Sequence, residues 1–281
     1  MTRYLFHLAS FILFVGMIPA QAQIDFTGII TDDYIFNVPS DFSDINAALN
    51  YLSDKSIKAD AFVTIQVADG TYTYASEILV EHPQGDRIKI LGNTTTPANC
   101  VLECSDRGFR IAPSSKLGLL DGFTLDGNDT SDYGLYVQRS GFITCGLNMI
   151  VHDFNYGVFA TKGAIVHAKY IEVYGCGTDG VSSDAATVDI NHGNIHGNDN
   201  TGVVASTSGT ISFHYGISEY NGKYGVNANS QSNVNCRYAT ISNNTNTVQI
   251  YASYMSLVYA AAVTGLSGAN TSATNQSLIF Y

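Results

Sequence analysis

Five ionisable side chains in the second half of the chain recur on a common spacing: His167, Lys169, Asp189, His214 and Arg237. Set out by repeat, they fall in three parallel columns. One runs Thr144, His167, Asp189, Ser212, Asn235; the next runs Gly146, Lys169, Asn191, His214, Arg237. The third runs Leu147, Tyr170, His192, Tyr215, Tyr238. Such a set holds the parts for removing a proton α to a carboxyl group. Lys169, His167, His192 or His214 offers a base, and Arg237 offers a bidentate clamp for a carboxylate. Asp189 beside His167 would orient that imidazole, and donors nearby would hold enolate charge. Tyr170, Tyr215 and Tyr238, with His192 among them, offer flat surfaces and polar edges for sugar rings. The same columns also fit a purely architectural role, because stacked aromatic ladders stabilise by roughly 0.5–1.5 kcal/mol per pair.

The columns exist only if successive repeats lie about 4.8 Å apart, as neighbouring strands do. Gly134, Gly157, Gly180, Gly202 and Gly225 open segments of 23, 23, 22 and 23 residues, and Gly108 opens a longer one. Each begins with one small phrase: GLYV, GVFA, GVSS, GVVA or GVNA. A fixed period of that size marks a repeat architecture. Alternating apolar pairs give one strand at Leu135/Val137, Val158/Ala160 and Val203/Ala205, and a second at Ile143/Cys145, Val166/Ala168 and Val188/Ile190. A third apolar point falls near Ile150, Val173, Ile195, Ile217 and Ile241. Three short strands per turn predict an all-β right-handed parallel β-helix of about seven coils, whose core exists only through stacking.

Ahead of the coils, Ile45, Ala48, Leu49 and Leu52 fall at helical spacing, with Ser43 or Asp41 as N-cap. Val63–Val67, Ile78–Val80 and Ile88–Leu91 read as short strands. The division is therefore residues 1–22 as signal peptide, 23–107 as leader, capping helix and opening strands, 108–263 as coils, and 264–281 as a polar tail. The signal reading rests on Arg3, an apolar run from Leu5 to Ile18, and the small-x-small site Ala20-Gln21-Ala22. It predicts a secreted, periplasmic or cell-surface protein without a membrane span.

Net charge is −11, and only 13% of residues are charged. That excludes the broad basic face nucleic acid requires. Five cysteines leave at least one unpaired, and Cys145 and Cys236, three coils apart, read as small core residues. No Cys/His spacing fits a zinc site. One acidic loop stands out: Asp126, Asn128 and Asp132 offer oxygen ligands for calcium, although the Gly and distal Glu of an EF-hand loop are missing.

The phrase Val63-Thr64-Ile65-Gln66-Val67-Ala68-Asp69-Gly70-Thr71-Tyr72-Thr73, followed by Ile90-Leu91-Gly92-Asn93-Thr94-Thr95-Thr96-Pro97-Ala98-Asn99, resembles the opening module of pectin-lyase-like β-helices. The GNTTTPAN ending is most similar to phage tail and tailspike examples. That superfamily holds lyases, hydrolases, esterases and non-catalytic adhesins, so the resemblance implies fold before activity. The Asn-Thr-Asp, Asp-Asp and Arg-Ile-Lys elements of polygalacturonases are missing; only Asn191-His192-Gly193 stands alone. Two functions follow. One is an exported protein acting on extracellular polysaccharide, as an eliminative lyase of acidic glycan. The other is a non-catalytic glycan-binding or structural spike, monomeric or trimeric. Asp179, Asp184 and Asp189 give a weaker paired-carboxylate option, since they fall at different corners.

Overall fold

The computed structural model describes residues 28–266 and 270–281. The expected signal segment lies outside them. Strand follows strand around three faces, and every inter-coil pairing along them is parallel. The first face is an eleven-stranded sheet from Tyr34–Val38 to Leu278–Phe280, so the solenoid has about eleven coils rather than seven. The opening strands are the reason. Val63–Val67 and Ile88–Leu91 pair in register with the later coils and form rungs of the same stack. Strands Thr271–Ala273 and Leu278–Phe280 likewise extend the stack, where the sequence reads as a loose tail.

The second and third faces share one fifteen-stranded sheet. Strands Phe123–Val137 and Met149–Thr161 run around the corner between these faces and join them. The glycine column has a steric cause. A Cβ on Gly157 would lie 2.2 Å from Val173 Cγ1 and 2.7 Å from Gly180 O of the next coil. The coils turn too tightly there for any side chain.

Inside, Val158, Val181, Val203 and Val226 stack with aliphatic neighbours from all faces in one continuous core. Ile150 and Ile217 are read one residue out of phase. Val151 and Ser218 take the inward positions, and Ile217 is exposed. Ser218 is tolerated because its Oγ donates to Gly225 O at 2.8 Å. At the second corner, Asn198, Asn221 and Asn244 form a buried ladder, each side chain serving the next coil. All five cysteines are buried free thiols.

A helix spans Ile45–Leu52 and buries Ile45, Ala48, Leu49 and Leu52. Its N-cap is Asp44, whose Oδ1 accepts from the Ala47 N–H at 2.8 Å. Asp41 instead accepts from Asn37, which removes it from the cap. No helix among the described residues is long and apolar enough to cross a membrane.

Candidate functional site

The first corner carries the predicted columns. Tyr170, His192, Tyr215 and Tyr238 all adopt left-handed backbone, with φ between 56° and 64°. That conformation throws each ring outward at the same point of its coil. The rings form a continuous ladder, with centroids 4.6, 5.2 and 5.0 Å apart and planes within 10°. The tyrosines remain about half exposed, but stacking covers the interior faces, so those rings present mainly edges and polar atoms to solvent.

The charged residues beside the ladder do not form one constellation. Lys169 Nζ lies 3.6 Å from Asp189 Oδ2, so Asp189 serves Lys169 rather than orienting His167. His167 packs edge-on against Phe142 at 5.4 Å. Asn191 Oδ1 accepts from Ser212 and from the His214 backbone N–H, tying two coils together. His214 Nε2 is buried without a partner, and Arg237 is exposed.

Sequence columns drawn on one face miss two further clusters. On the second face, paired residues run Glu103, Asp126, His152, Tyr174, His196, Glu219 from coil to coil. His152, Tyr174 and His196 stack at 4.9 and 5.2 Å. Each histidine is tied to a carboxylate: His152 Nδ1 to Asp153 Oδ2 at 2.8 Å, and His196 Nε2 to Glu172 Oε1 at 3.2 Å. Burial, then the Asp153, Glu172 and Asp126 carboxylates, push the Tyr174 phenol above its ordinary value. Of the predicted calcium ligands, only Asp126 joins this cluster. The Asn128 N–H donates to Asp126, and Asp132 lies 3.6 Å from Arg107.

On the third face, the outward column reads Arg110, Tyr136, Phe159, Ser182, Val204. Tyr133, Tyr136, Tyr156 and Phe159 pack as a block of rings, with Tyr133 and Tyr136 stacked at 4.5 Å and Tyr133 and Phe159 at 5.2 Å. Arg107 lies over Tyr133 at 5.9 Å. It also shares Glu77 with Arg110, donating through Nη1 at 3.0 Å while Arg110 Nε donates at 2.8 Å. Burial works to raise the Glu77 carboxyl, but the hydrogen bonds from Arg110 and Arg107 outweigh it and hold the group below its ordinary value. Further along the face, burial raises the Asp179 carboxyl despite hydrogen bonds from the Thr201 N–H and Asn200. A signal for this face was present: the third residue of each glycine-led phrase, Tyr136 in GLYV and Phe159 in GVFA, must point outward.

No protein-family model matches the sequence, and no curated protein matches it. Among solved structures, the chain is similar in fold to the A-module of the mannuronan C-5 epimerase AlgE4 of Azotobacter vinelandii. The TM-score is 0.57 at 15% sequence identity, over 82% of this chain and 77% of that one. That likeness is one of fold, the parallel β-helix.

Proposed function

We propose that this chain binds acidic extracellular polysaccharide through its third face. The observation that carries the reading is the row in which Arg110 stands in register with Tyr136, and Tyr136 with Phe159. The stacked rings offer apolar edges and phenol hydroxyls to sugars, and a guanidinium at the end of the row matches a uronate carboxylate in shape and charge. Arg110 commits three nitrogens, two to Glu77 and one to Gln138, and these contacts hold the fork in place for a further acceptor. The likeness to a polysaccharide-modifying solenoid supports the choice of ligand class. Export through the N-terminal signal and closure of the first coil by the Ile45–Leu52 helix belong to the same proposal. Titrating the protein with oligouronates and with neutral oligosaccharides of matched length tests it. Selective binding of the charged set, lost in Arg110→Ala, is expected; equal affinity for both sets would overturn it.

A catalytic reading has its own support in the second-face histidines. Two imidazoles, each bonded to a carboxylate, flank Tyr174, and that arrangement suits paired proton removal and return in an eliminative lyase. It predicts unsaturated uronate ends, seen by ultraviolet absorbance, that disappear in His152→Gln and His196→Gln. A flat trace from folded protein leaves the binding function alone.

A further inference from the structure

We propose that Asp126, His152 and Asp153 form a binding site for a divalent transition ion of the Zn2+ or Mn2+ type, independent of glycan binding on the third face. One ligand atom from each residue lies within 4.8 Å of the other two. His152 Nδ1 is 2.8 Å from Asp153 Oδ2 and 3.8 Å from Asp126 Oδ1. Ligand atoms around a tetrahedral ion with bonds near 2.1 Å sit roughly 3.4 Å apart, between these two separations, so small rotations would bring the three donors to one ion and leave its fourth position to water.

The backbone assembles the three groups. Asp126 and His152 are partners in adjacent coils, one strand spacing apart. Consecutive residues of a strand point to opposite faces, so Asp153 would normally turn away from His152. At Asp153 φ is +58°, and the left-handed turn brings its carboxylate back to the histidine's side. The carboxylate then rests against Gly175, where a Cβ would lie 2.3 Å from Asp153 Oδ1. Stacking on Tyr174 fixes the plane of the His152 ring.

A separate observation points to a cation. Glu77 meets Arg107 and Arg110, Asp132 meets Arg107, and Asp189 meets Lys169, while Glu172 has an imidazole, His196, to itself. Asp126 and Asp153 meet only His152. Both are half-buried. Two carboxylates facing one imidazole, with no lysine or arginine in contact, leave negative charge that a bound cation would neutralise. One nitrogen and two oxygens suit zinc or manganese better than calcium, which takes six to eight oxygen ligands.

The test is calorimetric titration of chelator-treated, full-length protein with Zn2+, Mn2+ and Ca2+, alongside His152→Gln, Asp153→Asn and Asp126→Asn. Circular dichroism and melting without metal check that each variant is folded. We expect one equivalent of Zn2+ or Mn2+ per chain, weak Ca2+ binding, and affinity lowered at least about tenfold in each variant, with Asp132→Asn unchanged. A Co2+-substituted wild-type sample should show the visible spectrum of an ion held by one imidazole nitrogen and oxygens. That readout stands even if a variant fails to fold. No stoichiometric binding, or binding that persists in folded His152→Gln and Asp153→Asn, would overturn the site.

Discussion

Arg110 and Glu77 are joined through one carboxylate oxygen, with Nε 2.8 Å and Nη2 2.7 Å from Oε1, while Arg107 takes Oε2. One carboxylate thus fixes two guanidinium groups beside the third-face rings. Because the Glu77 carboxyl is held below its ordinary value, its contribution to stability is present above the unfolded pKa. That contribution is lost as pH falls through the folded value. Melting temperature should therefore drop between about pH 5 and pH 3. Glu77→Gln should melt lower at pH 7 and show a shallower acid limb; an unchanged limb would mean that the Arg–Glu cluster does not couple to folding.

The glycine column makes a sharper stability prediction. In Gly157→Ala, the methyl group meets Val173 and the Gly180 carbonyl, and neither has room to retreat inside a stacked rung. Overpacking of this kind costs about 1–3 kcal/mol, and a backbone clash belongs at the upper end. Denaturant unfolding should show that loss, whereas Gly197→Ala, with open space around its Cβ position, should lose only what its φ of +61° imposes.

Asn221 accepts from Asn198 Nδ2 at 2.9 Å and donates to Asn244 Oδ1 at 2.8 Å, all inside the stack. Asn221→Ala strands buried donors and acceptors on both neighbouring coils. About 2–4 kcal/mol of stability should go with them, since each buried unmet group costs about 1–3 kcal/mol. Equilibrium unfolding reads it directly.

The five thiols should be silent in the folded protein. Burial pushes Cys100, Cys104, Cys145, Cys176 and Cys236 up to about 12, so little thiolate exists near neutrality. A thiol reagent at pH 8 should modify none of them before unfolding and all five afterwards. Rapid native modification would mean that the coils open locally.

Much of the fold was legible because the glycine phrase and inward pairs such as Val158/Ala160 repeat almost without interruption. Ile217 misled by one position because Ser218 is an inward residue that carries no apolar signal, and Ile150 because it sits in the apolar run Met149-Ile150-Val151, whose alternation is hidden. The polar tail reads as loose for the same reason, although its backbone pairs like any other rung. The first-corner columns aligned as the sequence arranges them, and the Tyr170–His192–Tyr215–Tyr238 ladder follows. The His152–Asp153 cluster could not be read from periodicity, because a left-handed residue at 153 breaks the alternation on which periodicity depends. Arg110 and Glu77 lie too far apart in sequence to suggest each other; only the stacking of coils brings them together.

The central claim is that acidic glycan binds the third face and not the first-corner ladder. Its most direct test is the affinity of a labelled oligouronate for wild-type protein, Arg110→Ala and Tyr215→Ala, with all three shown to be folded. Arg110→Ala should weaken binding at least about tenfold, while Tyr215→Ala stays within about twofold. Loss of binding in Tyr215→Ala with Arg110→Ala unaffected would place the ligand on the ladder. No measurable binding by folded wild-type protein would contradict the account outright.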